Sequence, residues 1–376
     1  MQLHRFLNKI LFFALLATSA PAAAQIIPRV NLYSSFTDNL FQNYNRQSAW
    51  INHAFIDLDY VPNAALNIYY SGSANIFSDY EDLFSHIHRT GVSYMRLGEE
   101  NDRSTFYAAA ELALRLNRPL YDYRDFVQAE TYANFKAYLK PTLLSRCSYS
   151  LRYQEYLNAG DYSFLEQILL AQLSHFLPSR TTLQMQAELG LKTYARAAAS
   201  DTAAIPVRTG SDRNLMQLKT RLKIAQSLGD NTGLQLEYRM RSNFIGQSRF
   251  RAEQFYNPND DLFDDGYSYE GHELRSTLKH LAPWGLVVEL SGFVEHRDYT
   301  GRPALDLEGF LVAEAVTRTD ERKTLALTVE RTFYLLESRI NEIRLQLEWL
   351  YRDIESNDAY YQTDSQIYAT GVQIDF

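Results

Sequence analysis

The chain has 376 residues, one cysteine (Cys147) and a formal net charge of −8. A single cysteine excludes an internal disulfide framework, and a charge this close to neutral gives no sign of a nucleic-acid partner. Tyr 27 and Phe 21 are high counts for this length. They suit a β-rich secreted protein, or a barrel whose polar lumen offsets an apolar exterior.

The first stretch reads as an export signal. Arg5 and Lys9 form a positive start, Ile10 to Ala17 a short apolar run, and Ala22-Ala23-Ala24 a small-residue exit. Cleavage is expected before Gln25, which assigns 1–24 to a signal peptide and 25–376 to one barrel domain. The apolar run is shorter than the roughly 20 residues a spanning helix needs. No later apolar run is long enough either.

From Arg29 onward, runs of about ten residues alternate with period two, the length that crosses a bilayer at barrel tilt. Val127, Ala129, Ala133, Phe135, Ala137 and Leu139 oppose Gln128, Glu130, Tyr132, Asn134 and Lys136. Leu183, Met185, Ala187, Leu189 and Leu191 oppose Gln184, Gln186, Glu188, Gly190 and Lys192. The tenth run sets Met216, Leu218, Thr220, Leu222 and Ile224 against Gln217, Lys219, Arg221 and Lys223. The eleventh sets Leu234, Leu236, Tyr238 and Met240 against Gln235, Glu237, Arg239 and Arg241.

Soluble sandwiches alternate too, but their strands are usually only about five or six residues long. Short connections such as Val61-Pro62-Asn63, Leu177 to Arg180 and Ala282 to Gly285 alternate with longer ones. The longer set includes Phe77 to Phe84, Asn117 to Asp125, Asn158 to Tyr162, Ala197 to Asp212, Asn243 to Tyr267 and Asp298 to Glu321. The pattern predicts an all-β, antiparallel up-and-down transmembrane barrel of 16 strands, with 14 or 18 as alternatives. The runs near Arg89 to Leu97 and Phe164 to Phe176 alternate poorly and are the source of that latitude.

The last run places Tyr368, Thr370, Val372, Ile374 and Phe376 on one face, and Ala369, Gly371, Gln373 and Asp375 on the other. It resembles the terminal strand of Gram-negative outer-membrane β-barrel proteins. The resemblance implies that Tyr368, Val372, Ile374 and Phe376 form an insertion signal read by the barrel-assembly machinery. It also implies a place in the cell outer membrane, against lipid and lipopolysaccharide. A homo-oligomer stays open.

Chemistry is sparse. His86 and His88 could share a metal, but parity points them outward near a rim, as polar interface residues. The acidic loop Asn257 to Gly266 has oxygen ligands in plenty but lacks the helix–loop–helix calcium pattern, and reads as a solvated loop. No catalytic set, metal site, cofactor or nucleotide fingerprint is expected.

The inward face is more informative. Lys219, Arg221, Lys223, Arg239, Arg241, Arg275 and Lys279 should line neighbouring inward positions, relieved by Glu237 and Glu273. Glu111, Glu130, Glu188, Glu289, Glu330 and Glu348 should also face inward. Basic residues on one wall and acids on the other would set a transverse field, as in general diffusion porins, which the architecture resembles. The expected function is passive passage of small polar or anionic solutes, without catalysis. A plugged barrel, an export or assembly barrel (on a weak likeness at Tyr33 to Leu40) and a barrel enzyme such as a lipase are the alternatives.

Overall fold

The computed structural model describes residues 25–98, 103–196, 212–246, 248, 266–313, 316–335 and 340–376. The export signal at 1–24 lies outside them, as do most of the acidic loop and of the connection Ala197 to Asp212. The described residues form a closed barrel in which each strand pairs with its sequence neighbour and β1 closes onto β16. The strands used below are β1 (Gln25–Thr37), β4 (Ser85–Leu97), β8 (Phe164–Leu177), β9 (Thr181–Tyr194), β10 (Asn214–Ser227), β11 (Thr232–Ile245), β12 (Glu270–Ala282), β13 (Leu286–Pro303), β14 (Thr317–Tyr334), β15 (Glu342–Ser356) and β16 (Thr363–Asp375). All sixteen are antiparallel, so both ends of the barrel chain emerge at the rim of short turns.

Turn chemistry fixes that rim. Asn63 Oδ1 accepts from the Ala65 and Leu66 backbone N–H groups at 2.9 and 3.0 Å, closing a tight turn with its own side chain. At Pro283-Trp284-Gly285 the second and third residues have φ of 64° and 73°. Such left-handed turns match the twist of a hairpin.

The outward face is apolar over the middle of each strand. Leu222, Ile224, Leu236, Leu274, Val294, Leu325 and Leu347 are all exposed there. No helix among the described residues is long and apolar enough to cross a membrane. A collar of exposed leucines around a closed sheet is stable against hydrocarbon, where every backbone group must already be paired. Tyr149, Tyr238, Trp349 and Tyr368 lie among the apolar residues at mid-strand. Toward the long-loop rim the collar gives way to Trp50 and then to charge, with Lys323 paired to Glu355 at 2.6 Å. Aromatic residues at such a boundary keep one end in lipid and the other in water.

Three element boundaries depart from the sequence reading. β13 and β14 run 18 residues each, so the predicted loop Asp298 to Glu321 is strand at both ends. Asp298, Arg302 and Arg318 look like loop residues because polarity no longer alternates where a wall rises above the lipid. β11 likewise continues to Ile245, and the connection after it ends at Tyr269. β4 starts at Ser85 rather than near Arg89. The connection between β1 and the strand Ala49–Asn63 was not anticipated, and it proves central below.

Candidate pore lining

The ladder places all the anticipated cations on one inner wall. Lys219 faces Arg241, Arg221 faces Arg239 and Lys223 faces Glu237 across β10 and β11. Glu237 faces Arg275 and Arg239 faces Glu273 across β11 and β12. Lys279 stands opposite Glu289 on β13. Facing pairs share a side of the sheet, so the whole set points inward. Lys219, Arg221, Arg239, Arg241, Glu273 and Arg275 border a hollow of about 440 Å³ against this wall.

The charges are partly paired. Lys219 meets Glu188 at 3.1 Å, Arg275 meets Glu273 at 2.9 Å, and Arg239 bridges Glu237 and Glu273. Arg221 donates to the Gln186 amide oxygen. Cations still outnumber carboxylates on β10 to β12, so the wall is net positive.

The acids do not collect on an opposing wall. Glu188 and Glu289 sit among the cations, at 3.1 Å from Lys219 and 3.9 Å from Lys279. Glu111 lies 3.6 Å from Arg89 and Glu330 3.7 Å from Arg344, while Glu348 accepts from Tyr33 at 3.0 Å. Glu130 stands directly across from Arg152 on the neighbouring strand. Glu188 and Glu289 likewise stand directly across from a cation, where opposite charges stabilise the sheet, and Glu111 and Glu330 reach theirs diagonally. The field is therefore local to the β10–β12 wall.

The end of the connection before β12 folds across this wall. The Gly266 carbonyl accepts from Gln217 at 2.6 Å and from Arg241 at 3.0 Å. Tyr267 lies over Gly190, where any Cβ would come within 2.3 Å of its hydroxyl. A glycine in mid-strand is there for this close approach. Tyr267 also closes an aromatic cluster with Tyr156, Phe164, Tyr194 and Leu215. Lys192 lies beneath it, 4.2 Å from the Phe164 ring centre. Tyr269 is wedged between two guanidiniums, with Arg241 and Arg297 each 4.1 Å from its ring centre.

A second set of loops covers the mouth on the β13–β16 side. Asn39 donates to Asn43 and Thr363, both at 2.7 Å, and Asn43 donates to the Tyr360 hydroxyl at 3.0 Å. Asp358 accepts from the Leu305 and Tyr360 backbone N–H groups at 3.3 and 3.1 Å. Below them Arg318 grips Asp320 with two hydrogen bonds of 2.9 and 2.6 Å, and Arg322 shares the same carboxylate at 2.9 Å. Arg318 is itself covered by Tyr361, 3.3 Å from the ring centre.

Asp358 gives this latch a pH dependence. Burial pushes its carboxyl up to about 6, Asp320 adds to the rise, and Arg318 and the two N–H donors oppose it. In opened loops the group ionises from its ordinary value of 3.8 upward. In the closed latch it ionises only near 6, so raising pH through this window favours opening. The latch should tighten between pH 7.5 and pH 5 by about 1.4 kcal/mol, because at pH 5 the group is protonated in the closed latch but still mostly ionised in opened loops. Hydrogen exchange at the Leu305 and Ala359 amides, corrected for intrinsic rate, measures this. Asp358→Asn should flatten the profile, and an unchanged slope would mean that another group titrates.

His86 and His88 point outward, as parity indicated, and bond each other at 3.0 Å, with Tyr70 on His88 at 2.7 Å. Among the described residues no group of three His, Cys, Asp or Glu side chains is placed to hold a metal. Arg352, which alternation puts on the polar face of its strand with Arg344 and Glu348, is joined by Arg297, Arg322, Asp57 and Asp59, which also face inward and which sequence reading did not single out. Strand parity alone would have found them once the strand ends were right.

These features define a class, a lipid-facing β-barrel with a charged, hollow interior. Its backbone is similar to Acinetobacter baumannii OccAB1, with TM-score 0.51 at 10% identity over 96% of this chain and 98% of that one. It is also similar to Pseudomonas aeruginosa OccD3 (OpdP), with TM-score 0.49 at 10% identity over 93% and 91%. At such identities the likeness speaks to the fold alone. No protein-family model matches the sequence, and no curated protein matches it.

Proposed function

We propose that this chain is an outer-membrane channel for passive passage of small polar or anionic solutes, and not an enzyme. The observation that carries the reading is the hollow of about 440 Å³ bordered by Lys219, Arg221, Arg239, Arg241 and Arg275 inside a closed barrel. A sixteen-stranded barrel is wide enough to leave an aqueous lumen. Cations that outnumber carboxylates on the lumen wall raise the local concentration of anions. Proteoliposomes should swell in small neutral sugars and faster in small organic anions of similar size. Swelling no faster than in empty liposomes would refute passage.

The export signal and terminal strand support the location. Tyr368, Val372, Ile374 and Phe376 present one outward apolar edge, and β16 closes the barrel against β1. In this reading the edge is recognised by the assembly machinery. Phe376→Ala should sharply reduce membrane-inserted protein, while Asp375→Asn on the lumen face inserts normally. Heat-modifiable mobility of membrane fractions measures both, and equal insertion of the two variants would make the terminal aromatic incidental.

A further inference from the structure

Above the basic wall lies a second hollow, of about 380 Å³, bordered by Gln42, Arg241, Tyr269, Glu295, Arg297, Arg322 and Arg352. It shares Arg241, Tyr269, Glu295 and Arg297 with the lower one. The Tyr269 wedge between Arg241 and Arg297 is thus the sill between two chambers.

The upper chamber has an excess of positive charge. Arg297 is matched by Glu295 at 2.9 Å. Arg322 shares Asp320 with Arg318, so three charged groups there leave one positive. Arg241 spends its hydrogen bonding on the Gly266 carbonyl. Arg352 meets no carboxylate within salt-bridge distance among the described residues, and its charged surroundings are Arg322, Arg297 and Glu295. Its hydrogen-bond partner is the neutral amide oxygen of Gln42. Gln42 is held there in a left-handed backbone conformation, φ 50°, by a loop whose Asn39 and Asn43 are pinned to Thr363 and Tyr360.

Guanidiniums gathered in a half-buried chamber repel one another and gain from a counter-charge. A singly charged solute leaves part of that excess uncompensated. Two negative charges on closely spaced oxygens match forked donors in two directions at once. The geometry points to the upper chamber as a binding site for a small doubly charged oxyanion, with Arg352 and Arg322 as its receptor and the Gln42 amide oxygen standing where an oxyanion oxygen binds. The site rests on the lumen being open to solutes, as in the reading above. Its chemistry fits a tetrahedral dianion or a short dicarboxylate.

The test uses the full barrel refolded in detergent, titrated calorimetrically at pH 7.5 with sulfate, succinate and acetate at matched ionic strength. At least one dianion should bind about tenfold more tightly than acetate. Sulfate against succinate tells a tetrahedral group from a spaced pair of carboxylates. Arg352→Gln should weaken the preferred dianion about tenfold while the heat-modifiable mobility stays unchanged, and Arg352→Lys should restore part of the affinity. If neither dianion outbinds acetate, or if a folded Arg352→Gln barrel binds as the unmodified one does, the site is wrong. A protein that binds the dianion yet carries no current in planar bilayers would leave the site standing and overturn the channel reading alone.

Discussion

Asp320→Ala should melt the β13–β16 side of the mouth. Its carboxylate is fully buried, and it is the shared acceptor of Arg318, which is 2% exposed, and of Arg322. It also accepts from Ser356 at 2.8 Å. Removing it strands a buried guanidinium against Arg322, and breaking a buried pair in this way costs about 3–5 kcal/mol. That loss exceeds what a solvent-screened surface pair such as Lys323–Glu355 contributes. The variant should lose its heat-modifiable band at a lower temperature, and protease should cut its connections 304–316 and 357–362. Asp320→Asn keeps one acceptor oxygen and should fall between. An Asp320→Ala barrel that resists heat and protease like the unmodified protein would mean that the network contributes little.

Lys219→Glu with Arg221→Glu should move the reversal potential toward cations while leaving assembly intact. The two side chains are one strand repeat apart, roughly 7 Å, so their fields overlap within a Debye length of about 8–10 Å. Reversing both changes the local charge by four units and sets two new carboxylates beside Glu188, which now accepts from Lys219 at 3.1 Å. Both positions face water, so no lipid contact is lost. The shift should shrink toward 1 M salt, where screening acts over about 3 Å. If selectivity is unchanged in a conducting double variant, the narrow part lies elsewhere, at the sill of Arg241, Tyr269 and Arg297.

Much of this architecture was legible in the sequence. Period-two alternation places Lys219, Arg221, Arg239 and Arg275 on one face, and the closed ladder puts that face inward. Strand length separates a bilayer-crossing sheet from a sandwich. What stayed hidden depends on loops. Alternation carries no information about a chain segment that folds back into the lumen, so Gln42, Gly266 and Tyr269 could not be placed beside Arg352 and Arg241. Alternation also fails above the lipid, where both faces meet water. The outer ends of β13 and β14 therefore read as loop, and the Arg318–Asp320–Arg322 network within them went unseen. The opposing acidic wall was expected because strand parity shows that a carboxylate faces inward but not which cation it meets. Pairing of Glu188 with Lys219 and Glu330 with Arg344 depends on register.

The most direct measurement is ionic current through the unmodified protein in a planar lipid bilayer, under a gradient of potassium chloride near 0.1 M. An open lumen beside a basic wall predicts stable conductance steps and a reversal potential on the chloride side of zero. A correctly folded, heat-modifiable barrel that inserts and stays electrically silent would contradict it.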